Sequence, residues 1–455
     1  MKNQPKERAE SGAGKVREFD NPCWIVGVLD SGPDTLTPVA RRLLEEADLV
    51  LGDPRFLQLF APVFPPHCAC RPTSGHLKEV PHWIEAAMHQ NQRVVLLATG
   101  DPLFSGIAGH LYHKLPVGSY RVLPAPSTPQ LAFARLGLPW TDARFLSVHA
   151  RDGGEWAEAP GPEHPLSTIV RALSGADKLA ILTSPANSPG RIARLLLHLG
   201  LEEHFAMVVA ERLETPQERI SPQLSPAQVA KADFAHPNVV IILRHRQEAA
   251  APAPLLGLAD ACFLPEGASS GLITRREIRV IVLANLALSP DSIVWDIGAG
   301  SGSVGLEAAR LVPSGWVYAV EKDPLRCRRI QESRARLQIG NYQLLEGRAP
   351  TGLDGWPDPD ALFIGGSDGL LPELITLATR RLQAGGRLVI TLVTLDNLSL
   401  ALATLRDLGW SWQMLQVQVN HAQPILTTHR LVATAPVWIL TARRGGEAEQ
   451  HTDGA

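Results

Sequence analysis

One segment of the chain has the residue types and spacing of a turn that binds a nucleotide-like cofactor. An apolar run ends in Asp296 and leads directly into Gly298, Gly300 and Gly302. Glycines at this spacing let a ligand lie against the main chain. The helix expected beyond them offers free N–H groups and a positive dipole end to an anionic group. The segment therefore predicts a binding turn at the start of a βαβ unit.

A second apolar run follows this turn and ends in Glu321. An acid at this spacing is expected to accept hydrogen bonds from ribose hydroxyls. The residues Gly300, Gly302 and Gly305 also fit the dinucleotide pattern, which alone is a weak signal. Two cofactors thus remain open, a dinucleotide and S-adenosylmethionine. The acid at Asp296 favours the second, because this motif resembles that of the Rossmann-type methyltransferases.

The elements that must position this turn alternate regularly downstream of an Ala/Pro-rich linker at 249–254. Helices and strands in alternation indicate a parallel sheet. We expect helices at 274–287, 326–337 and 371–382, and strands near 293 and 317, at 343–345, 361–364, 387–393, 411–419 and 437–441.

The upstream half shows a second α/β pattern without a comparable glycine turn. Its expected strands lie at 24–28, 48–52, 94–98, 178–183, 206–210 and 239–243. The strand at 94–98 runs into Gly100, Asp101 and Pro102, which is also an ordinary turn sequence. Because these residues follow an apolar strand, we interpret them as a second binding loop.

Length and composition limit the possible classes of protein. The chain has 455 residues, 43 Lys and Arg against 46 Asp and Glu, and five cysteines. This balance argues against a nucleic-acid binder, no apolar run could span a bilayer, and the few scattered cysteines indicate the cytoplasm. We expect disordered tails at 1–20 and 445–455, domains over 21–246 and 263–444, and a linker at 247–262.

A metal site is not expected from the sequence. His67, Cys68 and Cys70 lie together, with His76 and His82 beyond them. Their spacing is not that of a zinc knuckle, and there is no second Cys pair. We interpret the cysteines as buried or free thiols.

The upstream half resembles the tetrapyrrole methylase family, the class III methyltransferases. The marks are the loop at 27–37, the run 46–50, the Gly100-Asp101-Pro102 loop, the run 124–127 and the run 210–213. The resemblance implies two α/β subdomains with S-adenosylmethionine between them. It assigns Gly100, Asp101, Pro102 and Ser127 to the cofactor pocket. The runs 147–151 and 184–189 further resemble the branch that methylates carbon 5 of precorrin.

The downstream half resembles the decarboxylating precorrin carbon-15 methyltransferases, which implies a Rossmann-like class I domain. The marks are the run 272–279, the glycine turn, Glu321, and the runs 346–350 and 363–367. The cofactor contacts implied are Thr274, Asp296, Gly298, Ala299, Gly300, Ser301, Gly302, Glu321, Gly347 and Ala349.

Two such halves in one chain imply a bifunctional enzyme of cobalamin synthesis. The implied reaction is methylation of precorrin-6B at carbons 5 and 15, with decarboxylation of the ring C acetate, giving precorrin-8X. The implied partner is this small tetrapyrrole, without nucleic acid or membrane, and isolated relatives imply a homo-oligomer. Whether the macrocycle carries cobalt stays open, as does the order of the two methylations.

Arginines are the expected partners of the substrate's many carboxylates. The candidates downstream are Arg275, Arg276, Arg279 and Arg348, of which Arg279 and Arg348 are the candidates for the reaction itself. An ordinary structural role is also possible, because Thr274 and Glu277 have the spacing of a helix capping box.

Two other functions remain open. The first is methylation of RNA or protein, since both folds have relatives that act on macromolecules. The missing basic stretch argues against it, as does the run 363–367, which lacks the Asn/Asp-Pro-Pro-Tyr motif. The second is that one half serves only for docking. The glycine turn and Glu321 favour a working downstream half.

Overall fold

The computed structural model describes residue 19 and residues 21–104, 106–149, 151–157, 160–245, 254–263 and 273–444. The expected tail at 445–455 lies outside the described residues. So do residues 1–18 and 20 of the other tail, and residues 247–253 of the expected linker.

The first sheet is parallel throughout and lies at the start of the upstream half. Its strand order is β3-β2-β4-β1-β5. Along its strands successive side chains enter different cores, so that Ile25 packs on one face and Val26 on the other. The strands are β1 (Cys23–Val28), β2 (Leu49–Gly52), β3 (Ala69–Pro72), β4 (Val94–Thr99) and β5 (Tyr120–Leu123), and the helices are α1 (Pro38–Glu45), α2 (Pro54–Phe60), α3 (Val80–His89) and α4 (Ile107–Tyr112).

A second, mixed sheet completes the upstream half. Helix α5 (Thr128–Leu136) joins the two sheets. The strands are β6 (Ala143–Ser147), β7 (Lys178–Leu182), β8 (Phe205–Glu211), β9 (Arg219–Ile220) and β10 (Asn238–Arg244), and the helices are α6 (Ser167–Leu173), α7 (Pro189–His198) and α8 (Pro226–Val229). The order is β6-β7-β10-β8-β9, and only β6 and β7 pair in parallel. The apolar run of β8 is buried along its whole length.

The downstream half forms a seven-stranded sheet with helices on both faces. The helices are α9 (Arg276–Leu286), α10 (Ser303–Leu311), α11 (Pro324–Arg336), α12 (Leu371–Arg381) and α13 (Leu395–Asp407). The strands are β11 (Ile293–Ile297), β12 (Trp316–Glu321), β13 (Tyr342–Glu346), β14 (Ala361–Ile364), β15 (Arg387–Leu392), β16 (Ser411–Val417) and β19 (Val437–Arg443).

The strand order of this sheet is β13-β12-β11-β14-β15-β19-β16. The first five strands are parallel, and β19 runs antiparallel to both neighbours. An open sheet whose order reverses beside β11 places its ligand crevice at the carboxyl ends of β11, β12 and β14. The alternation expected from the sequence is confirmed.

An exposed hairpin was not expected from the sequence. Strands β17 (Asn420–Ile425) and β18 (Thr428–Ala433) pair with each other between β16 and β19. Leu426 at its tip and Leu431 on β18 are largely exposed. Because its apolar side chains face outward, burial periodicity could not reveal this element.

The two halves share one hydrophobic core. It joins residues of the second sheet and its helices to one face of the downstream sheet. The ring centroids of Trp156 and Trp316 are 5.9 Å apart, and Gly340 lies against Val170 of α6. No helix follows β13 in the described residues 347–360, so α6 and the segment before it cover this part of the sheet.

Several smaller expectations can be compared with the described residues. No helix in this part of the chain is both long and apolar enough to cross a bilayer. No group of three or more His, Cys, Asp or Glu side chains is placed there to hold a metal ion. All five cysteines are free thiols, and Cys68 and Cys70 are at least partly exposed.

Candidate functional site

The downstream half has a cleft of about 340 Å³ at the carboxyl ends of β11, β12 and β14. Most of the residues that the sequence assigned to a cofactor line it. They are Thr274, Gly298, Ala299, Gly300, Glu321, Gly347 and Ala349, and the candidate Arg348 lies beside them.

Gly298 begins the turn that forms the floor of this cleft. Its φ is +67°, and a Cβ atom at this position would lie 2.3 Å from the carbonyl oxygen of Gly366. The turns after β11 and β14 therefore touch main chain to main chain, which only glycine permits here. The N–H groups of Gly298 and Ala299 both donate to the carbonyl of Val320 at 3.0 Å, which fixes the turn against β12.

Asp296 lies beneath the cleft rather than in its lining. Its Oδ2 accepts a hydrogen bond from the Gly305 N–H at 3.0 Å, in the first turn of α10. Its Oδ1 is buried without a hydrogen-bond partner. Burial raises the pKa of this carboxyl to about 7, and the charge of Glu321 acts in the same direction. An acid that is buried beside a cleft with one oxygen unpartnered is a candidate for a functional position.

Glu321 forms the wall of the cleft at the end of β12. It accepts hydrogen bonds from the Gly300 N–H at 2.8 Å and the Asp323 N–H at 3.0 Å, and Arg326 lies 3.6 Å away. These contacts hold a 4% exposed carboxylate in one orientation while it still borders the cleft. A carboxylate has acceptor capacity beyond two such bonds.

Three cations border the same cleft. Asp368 joins two of them, since its carboxylate lies 2.5 Å from Lys322 Nζ and 2.8 Å from Arg348 Nε. The third, Arg326, is paired with Glu321 and Asp323. Lys322 and Arg348 remain more than half exposed, so an acidic ligand can reach them.

Two expectations at the start of α9 are wrong. The helix begins at Arg276 after Arg275, and no side chain caps it, so Thr274 and Glu277 do not form a capping box. Arg279 cannot contact a substrate, because it is fully buried. It pairs with Glu307 at 2.6 Å and Asp260 at 3.1 Å. A buried guanidinium needs such partners, and this one has a structural role.

Two further assigned residues do not line the cleft. Ser301 and Gly302 belong to the same turn, and Gly302 precedes α10 with a φ of +72°. Part of the expected linker also belongs to this half, since Leu258 is buried in its core together with Phe263, the first residue of the expected domain. The Leu258 N–H donates to Glu307 at 3.2 Å.

The upstream half has a second cleft, of about 490 Å³, between its two sheets. Gly100, Asp101 and Ser127 line it as the sequence predicted, whereas Pro102 is buried and does not. Ser127 precedes α5 and is held there by the side chain of Gln130. Across the two sheets Phe104 packs edge-on to Phe145 at 5.5 Å.

Close main-chain packing also shapes this second cleft. A Cβ atom on Gly27 of β1 would lie 2.0 Å from the Gly100 oxygen and 2.4 Å from the Ala125 nitrogen. The loops after β4 and β5 can therefore approach β1 only because residue 27 is a glycine.

The charged groups of the second cleft were not expected from the sequence. Asp30, Asp53 and Glu214 line it beside Asp101, and Arg55 lies among them. Asp30, Asp53 and Arg55 follow the ends of β1 and β2, as Gly100 follows β4. The carboxyl ends of parallel strands share one edge of a sheet, so their positions after predicted strands were a usable signal. No sequence pattern signalled Glu214, which comes from the other sheet.

Comparisons with known proteins agree with a chain of two halves. Residues 22–225 match the family model described as tetrapyrrole (corrin/porphyrin) methylases, and residues 268–444 match that of the precorrin methyltransferase domain. The chain is 33% identical over 405 residues to a protein of Sinorhizobium sp named precorrin-6Y C(5,15)-methyltransferase [decarboxylating]. That match covers 88% of this chain and 91% of the relative.

Two other matches each cover less than half of this chain. A cobalt-precorrin-6B C(15)-methyltransferase (decarboxylating) of Salmonella typhimurium is 37% identical over 173 residues, which are 38% of this chain and 89% of that protein. A crystal structure named precorrin-6y C5,15-methyltransferase from Geobacter metallireducens is 38% identical. It covers 42% of this chain and 100% of its own, with a TM-score of 0.40.

Proposed function

Because the chain belongs to the family of decarboxylating precorrin-6Y C(5,15)-methyltransferases, we propose that it methylates precorrin-6B at carbons 5 and 15. The ring C acetate loses carbon dioxide in the same overall conversion, and the product is precorrin-8X. The enzyme is a methyltransferase of cobalamin synthesis that uses S-adenosylmethionine.

One observation carries this proposal: a single chain contains two clefts of different construction, each at the carboxyl ends of parallel strands. We propose that the upstream cleft serves carbon 5 and the downstream cleft serves carbon 15 and the decarboxylation. Two transfers to different carbons of one macrocycle call for two differently shaped sites, because each site must orient its own carbon.

The residues of the downstream cleft fit S-adenosylmethionine. The carboxylate of Glu321 borders the cleft and is an acceptor for the ribose hydroxyls of such a ligand. Asp296 lies beneath the cleft, where its unpartnered Oδ1 adds negative potential that suits a cationic ligand. When bound, this cofactor would supply a methyl group that forms a bond to the carbon nucleophile while its bond to sulfur breaks, with S-adenosylhomocysteine as the leaving group. The chain's own task is to hold both reactants in line and to exclude water.

The cations of the downstream cleft fit an acidic macrocycle. Lys322, Arg326 and Arg348 stand at the rim of the cleft, and Arg348 is the candidate retained from the sequence. Arginine forks pair with carboxylates at two points, which would orient the tetrapyrrole as well as bind it. We propose that Arg348 and Lys322 exchange their shared partner Asp368 for substrate carboxylates.

The proposed domain boundaries follow from this division. We assign residues 21–246 to a tetrapyrrole methylase domain of two α/β subdomains. The Rossmann-like class I domain extends over 263–444, and the packed segment at 254–262 belongs with it rather than with a free linker. We further propose a cytoplasmic homo-oligomer that acts on a small molecule, without nucleic acid or membrane.

The proposal is tested by mass spectrometry of the purified full chain with S-adenosylmethionine and precorrin-6B. We expect a product that has gained two methyl groups and lost one carbon dioxide. Asp296→Ala should lose the decarboxylation and one methylation while the other continues. Absence of any mass change in the wild type, with cofactor binding intact, would contradict the proposal. Cobalt-precorrin-6B would then be the next substrate, followed by RNA.

A further inference from the structure

The upstream cleft contains few cations for a site that must accept an acidic substrate. The titratable residues that line it are Asp30, Asp53, Asp101, Glu214, His149 and Arg55. Among these described lining residues, Arg55 carries the one permanent positive charge. The downstream cleft, by contrast, is lined by Lys322, Arg326 and Arg348.

Arg55 is held in place while remaining accessible. Its NH1 lies 3.2 Å from Asp30, and its NH2 donates to the Thr99 hydroxyl at 3.3 Å. The guanidinium carbon lies 4.4 Å from the centroid of the Phe56 ring, which fixes the plane of the group. The side chain is nevertheless 49% exposed.

On its Nε side the guanidinium pairs with the carboxylate of Asp53 without a hydrogen bond, which leaves this N–H as a donor for a ligand. The nearest carboxylate oxygen there, on Asp53, is 3.8 Å from Nε, beyond hydrogen-bond distance. Asp30 and Thr99 engage the other nitrogens and so orient the fork. An oriented guanidinium loses less conformational freedom when it pairs with a carboxylate.

We propose that Arg55 binds a side-chain carboxylate of the tetrapyrrole at the rim of the upstream cleft and thereby positions carbon 5 for methylation. The inference rests on the proposed function and adds a specificity-determining residue to it. Asp30 and Thr99 act as positioning residues, because they hold the guanidinium rather than touch the substrate.

The size and charge of the cleft support this assignment. A cleft of about 490 Å³ suits one ligand of cofactor size, so a macrocycle must lie across its opening and meet groups at the rim. The four acids of the cleft repel a polycarboxylate, whereas they suit the cationic methyl donor. A single oriented cation then determines which edge of the macrocycle can approach, because the four acids repel the carboxylates on its other edges.

A purely structural role is the competing explanation. Arg55 also ties the loop after β1 to the end of β4, through Asp30 and Thr99. A tie of this kind would support the cofactor pocket and the stability of the first sheet. It would not set the affinity for the second substrate selectively.

The test uses the full chain with precorrin-6B. The decarboxylation by the downstream half then shows that each variant is folded. The variants are Arg55→Gln, Arg55→Lys and, as a matched control, the exposed Arg42→Gln on α1. The readouts are the number of methyl groups transferred, loss of carbon dioxide, KM for precorrin-6B in the carbon 5 methylation, and the dissociation constant for S-adenosylhomocysteine.

We expect Arg55→Gln to raise KM for precorrin-6B in the carbon 5 methylation by roughly tenfold or more, the effect of losing a charge-assisted pair. The variant should accumulate a decarboxylated product that lacks one methyl group. Arg55→Lys should lie between the wild type and Arg55→Gln, since it keeps the charge but loses the fork. Affinity for the cofactor product should change less than about twofold, and Arg42→Gln should match the wild type.

An unchanged KM in Arg55→Gln would overturn the inference alone. The inference would also be overturned if Arg55→Gln lowered the affinity for the cofactor product and the unfolding temperature but left KM for precorrin-6B unchanged. That result would mean that Arg55 has only a structural role. A wild type that transfers no methyl group to precorrin-6B would instead remove the proposed function, and this inference with it.

Discussion

The two clefts are proposed to bind the same cofactor and the same macrocycle, but their lining residues differ in net charge. The upstream cleft has four acids and one arginine, whereas the downstream cleft has three cations beside Glu321 and Asp368. Both lie at the carboxyl ends of parallel strands and both depend on main-chain packing at a glycine. The shared features suit a cofactor, and the two clefts differ in the charge that they present to a second substrate.

This difference fits the division of labour proposed above. Methylation of carbon 5 is not accompanied by decarboxylation in the upstream half and so releases a net proton, which the acidic cleft provides groups to accept. Decarboxylation begins from a carboxylate that has to be held in place, and a cleft with several cations provides that hold. The charge of each rim therefore corresponds to the chemistry proposed for each half.

The largest effects should come from the two glycines at the clefts. Gly298→Ala should abolish decarboxylation and one methylation, because its Cβ would overlap the Gly366 oxygen at 2.3 Å. Gly27→Ala should abolish only the other methylation, since its Cβ would lie 2.0 Å from the Gly100 oxygen. Displacement of a positioned reactant by about 1 Å can cost roughly a hundredfold in rate. Product masses measure both losses.

Two control glycines have open space around them. A Cβ on Gly355 or on Gly109 would meet nothing within 4 Å, so alanine there should leave both reactions intact. If Gly298→Ala also removed the carbon 5 methylation in a chain that remains folded, the separation of the two clefts would be contradicted.

The next largest effect concerns stability. Arg279→Met should lower the free energy of unfolding by about 3–5 kcal/mol, because Glu307 would remain buried without its cation. Arg275→Met, at a side chain that is 45% exposed, should cost about 1 kcal/mol or less. Urea denaturation measures both values. If Arg279→Met were as stable as the wild type but bound the substrate more weakly, the structural role of Arg279 would be contradicted and a role in substrate binding supported.

A third effect is the pH dependence of stability caused by Asp296. Its pKa is raised from 3.8 to about 7, so the folded state holds this proton more tightly than the unfolded state. The contribution of this group to stability should therefore be fully present below about pH 4 and be lost as the pH rises to about 7, by at most roughly 4 kcal/mol. Asp296→Asn should remove that decrease and be more stable than the wild type at pH 8.

The upstream cleft provides the comparison for this titration. Burial, with Asp53 and Glu214, raises the pKa of Asp30, but Arg55 opposes the shift. Asp30→Asn should therefore change the pH dependence less than Asp296→Asn does. Denaturation at pH 5 and pH 8 tests both variants, and equal slopes would contradict the electrostatic difference between the clefts.

The smallest effect is expected at Arg348. Arg348→Gln should raise KM for precorrin-6B in the decarboxylating half by only about twofold to fivefold, because Lys322 and Arg326 remain nearby. A larger increase in KM is expected for Arg55→Gln, because the other charged residues that line the upstream cleft are acids. The same kinetic assay measures both variants. An Arg348 effect larger than that of Arg55 would reverse the comparison.

Much of the fold could be predicted because many of its strands are apolar runs that are followed by glycine, proline or an acid. The run from Ile293 to Asp296, followed by glycines, predicted both a strand and its cleft, since main-chain geometry at such turns is local. The exposed hairpin β17–β18 could not be predicted, because its outward apolar residues carry no burial signal.

The functional residues divide in the same way. The sequence by itself determined the positions of the two glycine loops, since a glycine permits such a turn through its own backbone angles and the end of an apolar strand places the acid beside it. Only the tertiary structure decided that Arg279 is a buried structural ion, that Asp296 lacks a partner for one oxygen, and that Arg55 stands alone among acids. The charge around a side chain depends on groups distant in the chain, and folding alone brings those groups together.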